Sequence, residues 1–169
     1  MHNSKDTRLI ANIEEVCTGE VKTGGPDTIL AASAIGSCIA VIAYNPAYKT
    51  GGIAHIMLPG AAKASQTNEC LRYAENAIGE LFRQMDLVEQ GHSGLKIVIA
   101  GGANVLKKPD DNVCEMNIRS VTGILEEKGI VPAASSLGGV ERRKVTLETA
   151  SGVVKCAVGN GKDEILWRL

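Results

Sequence analysis

The chain has 169 residues, enough for one domain with a substantial core. Hydrophobic residues make up 44%, which excludes a disordered chain, and aromatics at 3% leave the core to Ile, Val, Leu and Ala. A net charge of −1 argues against a nucleic-acid binder. No apolar run reaches the ~20 residues of a membrane span. The polar residues 1–7 are not followed by the apolar core of an export signal, so none is expected. Cysteines stand at 17, 38, 70, 114 and 156, an odd set without C-x-x-C or Cys/His ligand spacing. That pattern points to free thiols in the cytoplasm and away from a metal site.

In chain order, residues 1–6 read as a loose terminus and 10–16 as a strand candidate. Gly24-Gly25-Pro26-Asp27 is a turn. Residues 28–34 form a small, apolar strand leading to Cys38, and 39–44 and 53–58 are two more apolar strands. After a loop at 61–66, Thr67 is the expected N-cap of a helix, with Glu69 in its first turn. Leu71, Ala74, Ile78, Leu81, Phe82, Met85 and Val88 make its apolar face, Cys70 packs on it, and Gly91 ends it.

Residues 95–100 suit a buried strand. Gly101-Gly102-Ala103-Asn104 after it lacks any phosphate-loop signature and reads as close backbone packing or a turn. A polar loop at 107–112 precedes a second helix at 117–128, with Ile118, Val121, Ile124 and Leu125 inward and Gly129 as its stop. Residues 131–137 return as a strand ending in Gly138-Gly139. Arg142-Arg143-Lys144 is the one basic cluster and reads first as a solvated strand end. Val145, Leu147 and Thr149 alternate with polar residues, Ala150-Ser151-Gly152 turns, and 153–158 comes back: the clearest hairpin by alternation. Trp167 is placed to anchor the C-terminal end. The expected fold is an α/β (α+β) layered sandwich, a mixed β-sheet with hairpins and two main helices, in a single domain over 1–169 with its core at about 16–158.

Chemistry concentrates at Ala32-Ser33-Ala34-Ile35-Gly36-Ser37-Cys38 and at His55, seventeen positions on and the only histidine in an apolar run. A thiol becomes a nucleophile when a nearby base takes its proton. Gly36 allows a tight turn before it, and the Ser37 and Cys38 N–H groups are candidates for holding an oxyanion. A tight turn at Asn45-Pro46-Ala47-Tyr48 sets Cys38 directly opposite His55. A wider loop pairs residue 42 with 55 and leaves Cys38 about 13 Å away, at roughly 3.3 Å per residue. Against this stand the bland readings, a cysteine as a small core residue and a structural, hydrogen-bonded histidine.

The run Ile35-Gly36-Ser37-Cys38-Ile39-Ala40-Val41, followed by Gly51-Gly52-Ile53-Ala54-His55-Ile56-Met57-Leu58-Pro59, resembles the chemoreceptor glutamine deamidase family, CheD. Arg72-Tyr73-Ala74-Glu75-Asn76-Ala77-Ile78, Gly101-Gly102-Ala103-Asn104 and Gly138-Gly139 resemble its later motifs, in the same order. The resemblance implies an α/β sandwich that hydrolyses glutamine side chains of methyl-accepting chemotaxis receptors, a protein-glutamine glutaminase acting on linear amides. It implies Cys38 and His55 as the catalytic pair and no metal or organic cofactor. Its partners are receptor cytoplasmic helices and, in many members, a CheC-type phosphatase, with neither nucleic acid nor membrane insertion.

Two departures stand out. The family's third catalytic member, a Thr six residues before the Cys, is here Ala32, with Ser33 beside it. Its I-G-E-R-N motif is Val113-Cys114-Glu115-Met116-Asn117. The competing reading is therefore a binding regulator of a CheC-type phosphatase or of receptors, with weak or absent catalysis. Without a side-chain hydroxyl at 32, a main-chain carbonyl near Ala32 is the expected partner of the second His55 ring nitrogen, and Ser33 the weaker choice.

Overall fold

The computed structural model describes residues 12–85 and 94–169. Among these residues, ten strands form two mixed five-stranded sheets. The first contains β1 (Asn12–Glu15), β3 (Thr28–Ile35), β8 (Arg143–Glu148), β9 (Val153–Val158) and β10 (Glu164–Trp167), hydrogen-bonded in the order β1-β3-β8-β9-β10. The second contains β2 (Val21–Gly24), β4 (Ile39–Asn45), β5 (Thr50–Ile56), β6 (Lys96–Gly101) and β7 (Ala134–Leu137), in the order β2-β5-β4-β6-β7. The β1–β3 and β6–β7 pairs are parallel and the rest antiparallel.

Strand alternation sorts β4 and β5 into two cores, because successive side chains point to opposite faces. Ile39, Val41, Ala43, Ala54 and Ile56 face two helices, α1 (Ala74–Gln84) and α2 (Val113–Glu127). Ala77, Ile78, Leu81, Val121 and Leu125 meet them from the helix side. Ala40, Ile42, Tyr44 and Ile53 face the other sheet and pack on Leu30, Ala32, Val145, Leu147 and Val154. The result is the expected α+β sandwich, with layers helix, sheet, sheet. Trp167 closes one end against Tyr44, ring centroids 6.3 Å apart.

Three local expectations change. The first helix does not start at Thr67. Residues Ala64–Arg72 form a kinked 3₁₀ segment that buries none of its residues, and α1 begins only after an extended Tyr73. The break has a tertiary cause: Arg72 O accepts the N–H groups of Met57 and Leu58, and Leu58 O accepts that of Ala74. The far end of this helix, including Val88 and Gly91, lies outside the described residues, as do residues 10 and 11 of the first strand candidate. The second helix starts at Val113, four residues early, so Cys114 and Asn117 join its inward face. The β4–β5 register is neither of those expected: Ala40 pairs with His55 and Asn45 with Thr50. Asn45 Oδ1 accepts the Ala47 N–H, and Lys49 takes a left-handed φ of 50°, so the loop closes two residues wider than the tight turn.

Candidate active site

Cys38 sits on the loop between β3 and β4, half-buried, and packs against the core between the sheets. Residues 38, 40 and 42 share that face of the β4 line, and His55 shares it with Ile53 on β5. With Ala40 opposite His55, Cys38 is the diagonal neighbour of the histidine, a relation of roughly 7–8 Å in an antiparallel pair. No hydrogen bond joins the two side chains.

His55 is 2% exposed. Its Nδ1 lies 3.0 Å from Val16 O. A carbonyl only accepts, so Nδ1 carries the proton and Nε2 presents a lone pair. Nε2 is buried with no hydrogen-bond partner among the described residues. A buried, unpartnered imidazole nitrogen costs free energy unless something is meant to meet it. Burial pushes the His55 pKa below the ordinary 6.5, against upward pulls from the Val16 carbonyl, Glu15 and Glu20. Burial likewise pushes the Cys38 thiol above 9.0, partly offset by a hydrogen bond from the Thr18 hydroxyl. The resting pair is therefore neutral thiol and neutral imidazole, an arrangement for general-base activation rather than a standing thiolate.

The cysteine loop is fixed through its carbonyls. Gly36 O accepts Ala103 N–H, Cys38 O accepts Gly102 N–H, each at 2.8 Å, and Ser37 O accepts Asn117 Nδ2 at 2.8 Å. All peptides among the described residues are trans. In a trans peptide the N–H opposes the C=O, so the Ser37 and Cys38 N–H groups are turned away from those donors. The glycines after β6 make this contact close. Gly101 has φ 129°, and a Cβ there would run into the Cys38 carbonyl. The sequence reading of Gly101-Gly102 as close packing thus finds its physical reason.

A cleft of about 370 Å³ opens over this loop, lined by Gly36, Ser37, Cys38, Asn104, Asp111 and Arg142 among others. His55 is not on its wall. A larger hollow of about 470 Å³, walled by Thr23, Asn45, Tyr48 and Gln84, holds no cysteine, histidine or carboxylate among the described residues. Among the described residues, no group of three His, Cys, Asp or Glu side chains gathers to hold a metal ion.

Of the remaining sequence candidates, Ala32 is fully buried in the core between the sheets, opposite Val145. Ser33 N–H donates to the Glu15 carboxylate at 2.9 Å, and no hydrogen bond joins Ser33 to His55. A carbonyl does hold the His55 ring, but it is that of Val16, whose own N–H donates to Ala31 O at 2.7 Å. The role of Val16 escaped the sequence reading, and Asn117 entered it only as the last residue of the motif at 113–117, a polar residue on the apolar 114-117-121-125 stripe of α2.

An α+β sandwich with a loop-borne cysteine over a cleft and a buried histidine on the next strand is the class of protein that the fold and site define. Residues 57–158 match the family described as CheD chemotactic sensory transduction. A protein of Chlorobium luteolum named "Probable chemoreceptor glutamine deamidase CheD" is 38% identical over 150 residues, which cover 89% of this chain and 75% of the relative. Relatives of the same name from Clostridium kluyveri and Desulfitobacterium hafniense are 30% and 29% identical, covering 90% and 93% of this chain and 99% and 100% of theirs. The chain belongs to the CheD family. The family-model match begins at residue 57 and so does not include Cys38 or His55.

Proposed function

We propose that this chain is a protein-glutamine deamidase that converts glutamines of chemotaxis receptors to glutamates in the cytoplasm, with Cys38 as nucleophile and His55 as base. The observation that carries the reading is the bare, buried Nε2 of His55 beside a cysteine whose loop is held from three sides. The relatives' names point to the same substrate. Residues 1–169 act as one domain, since both cores share the sheet that carries His55.

The chemistry follows from the geometry. His55 Nε2 takes the Cys38 thiol proton as sulfur attacks the side-chain carbonyl carbon of glutamine. The carbonyl oxygen becomes an oxyanion, met by the Cys38 N–H and, beside it, the Ser37 N–H. The imidazolium gives its proton to the amide nitrogen, the C–N bond breaks, and ammonia leaves a thioester. Water then adds, losing a proton to Nε2; the C–S bond breaks, and the proton returns to sulfur. Glutamate and the resting thiol are the products, with water consumed and ammonia released. No step calls on a metal or organic cofactor.

A second reading has a specific observation behind it. Ala32 is buried and carries no hydroxyl, so a chain that docks receptors or a CheC-type phosphatase with slow catalysis keeps the same fold. Incubation with receptor cytoplasmic fragments, read by mass spectrometry for Gln→Glu conversion, decides between them. Conversion by the wild-type chain and none by Cys38→Ala is expected. Binding without conversion by either would leave only the docking role.

A further inference from the structure

The middle residue of the basic cluster at 142–144 is not a solvated strand end. Lys144 reaches Asp163 at 3.8 Å and Arg142 stands on the wall of the cysteine cleft, but Arg143 is only 7% exposed. Its Nε donates to Ser136 Oγ at 2.8 Å, and its Nη1 to Gly138 O at 2.8 Å and Glu141 O at 3.4 Å. Every one of these acceptors is neutral. Among the described residues, no carboxylate forms a salt bridge with the guanidinium. Burial pulls the Arg143 pKa below 12.5, against opposite pulls from Cys156 and Glu141, and a guanidinium stays charged at neutral pH. A buried cation held only by neutral groups lacks its counter-charge. Nη2 makes no hydrogen bond among the described residues, yet the buried side-chain atoms without a partner there are His55 Nε2 and Asn117 Oδ1 alone. Nη2 therefore keeps an opening to the hollow of about 400 Å³ that Arg143 lines with Lys107, Gly138, Gly139 and Glu141.

This hollow adjoins the cysteine cleft. Leu106 lines the cleft and Lys107 the hollow; Arg142 lines the cleft and Arg143 the hollow. Asn104 of the cleft donates its N–H to Gly139 O of the hollow at 2.9 Å. A polypeptide that lays a glutamine over Cys38 therefore passes the hollow within a few residues. We propose that the hollow at Arg143 is a carboxylate subsite that reads an acidic side chain of the substrate protein close to the target glutamine. This rests on the reading of Cys38 as the nucleophile of a protein-glutamine deamidase. Nη2 is the free donor, and Lys107 adds a second positive charge at the exposed rim. Two cations, Arg143 and Lys107, against Glu141 leave a surplus of one positive charge. A single carboxylate matches that surplus, whereas a phosphate group overshoots it. The contact is made alike by bound substrate and transition state, so its loss raises KM and leaves kcat in place.

The test uses the full chain and receptor cytoplasmic fragments in which each Asp or Glu within about two helical turns of a glutamine is replaced singly by Ala. Two quantities are read: kcat and KM of deamidation, and the Kd of the same fragments for Cys38→Ala by fluorescence anisotropy, which needs no turnover. At one acidic position the replacement should raise Kd and KM about tenfold, the scale of one charge-assisted hydrogen bond, with kcat unchanged. Lys107→Met should weaken binding of the unaltered fragment about threefold and leave that of the Ala fragment as it was. Arg143→Met should make the two fragments bind alike. Because Arg143 also braces Ser136 and Gly138, Lys107→Met carries the comparison should Arg143→Met fail to fold. If no acidic replacement changes Kd or KM by more than about twofold, the proposal is overturned. It is equally overturned if the replacement costs as much in the folded variants as in wild type, which would put the carboxylate elsewhere. A thermal shift with sodium acetate that depends on Lys107 or Arg143, without any sensitive position in the fragments, would assign the hollow to a free carboxylate and overturns it too. If wild type converts no glutamine while the Kd pattern holds, the deamidase reading fails and the carboxylate subsite stands.

Discussion

The ring of His55 and the carbonyl of Val16 are joined by a hydrogen bond of 3.0 Å that runs from one sheet to the margin of the other. Val16 continues the β1 line, its N–H held by Ala31 O of β3, and its own side chain is fully buried. The acceptor is thus part of the scaffold and leaves the imidazole a single tautomer, with Nε2 free for the thiol.

That bond sets a pH dependence. Burial is the larger influence, so the His55 pKa lies below 6.5 and the ring is neutral at pH 7. Only the neutral ring can act as base, so kcat/KM should hold on acidification until pH falls below 6.5, then decline with a slope of one proton. The same group affects stability. The unfolded chain takes up this proton first, near 6.5, so His55's contribution is fully present above that pH and is lost as pH falls toward the folded value. A kcat/KM profile whose acid limb has its midpoint above 6.5 would contradict the buried, neutral imidazole.

The thiols should react in an order that burial sets. Cys38 is half-buried with its pKa pushed up by burial, whereas Cys17 is exposed. Thiolate fraction and access govern these rates. With iodoacetamide at pH 7.5, Cys17 should label ahead of Cys38, and Cys114 and Cys156, both buried, last. Activity should track Cys38 labelling alone: Cys17→Ser stays active, Cys38→Ser loses at least ~10³-fold. Time-resolved peptide mapping alongside residual activity checks both halves.

How far the sequence spoke depended on the range of the interaction. The β8–β9 hairpin was legible because Val145 and Leu147 alternate with exposed partners across a short turn. That Cys38 and His55 come near each other across β4 and β5 was legible, but their register was not. It turns on Lys49 entering a left-handed conformation, which no propensity favours for lysine. The start of α1 at Ala74 was hidden because the break is imposed by the Leu58–Tyr73 bridge, fifteen positions apart in the chain. The part Val16 plays was hidden for the same reason: it exists only once two sheets are stacked.

Ser33→Ala should change kcat less than about twofold. Ser33 meets the Glu15 carboxylate through its backbone N–H, which alanine retains, and its hydroxyl has no bond to His55. Surface-side changes of this kind usually stay within about 0.5 kcal/mol in stability. A collapse of activity with the thermal transition unmoved would return Ser33 to the catalytic set.

Asn117→Leu tests the clamp on the cysteine loop. Asn117 is fully buried, and its Nδ2 donates to Ser37 O at 2.8 Å and Met57 O at 3.0 Å. Leucine has the same branched outline, though it is bulkier, and leaves both carbonyls without that donor, a loss of about 1–3 kcal/mol for each that stays dry. The Ser37–Cys38 peptide is then free to rotate, so its N–H no longer points steadily where an oxyanion would form. The expected outcome is a lower denaturation midpoint and a kcat reduced by ~10²-fold or more, the scale of losing one oxyanion donor. Asn117→Leu with full kcat would show that the Cys38 N–H does not need this clamp.

Gly101→Ala, paired with Gly123→Ala, separates close approach from simple loss of a glycine. Gly101 has φ 129°, a region L side chains rarely adopt, and an added Cβ would collide with the Cys38 carbonyl. That carbonyl is rigidly placed, accepting Gly102 N–H at 2.8 Å, so either β6 or the cysteine loop must move. Strain at such a backbone position together with a backbone clash is expected to cost about 2–4 kcal/mol. The displaced loop should cost activity beyond what the remaining folded fraction accounts for. Gly123 lies inside α2, and an added Cβ there meets nothing within 4 Å. Its replacement should instead stabilise by about 0.5–1 kcal/mol, since alanine loses less backbone entropy in a helix. Urea denaturation of both variants, with deamidation rates corrected for folded fraction, gives the comparison. If Gly101→Ala proves as benign as Gly123→Ala, the cysteine loop is not braced by the Gly101-Gly102 backbone.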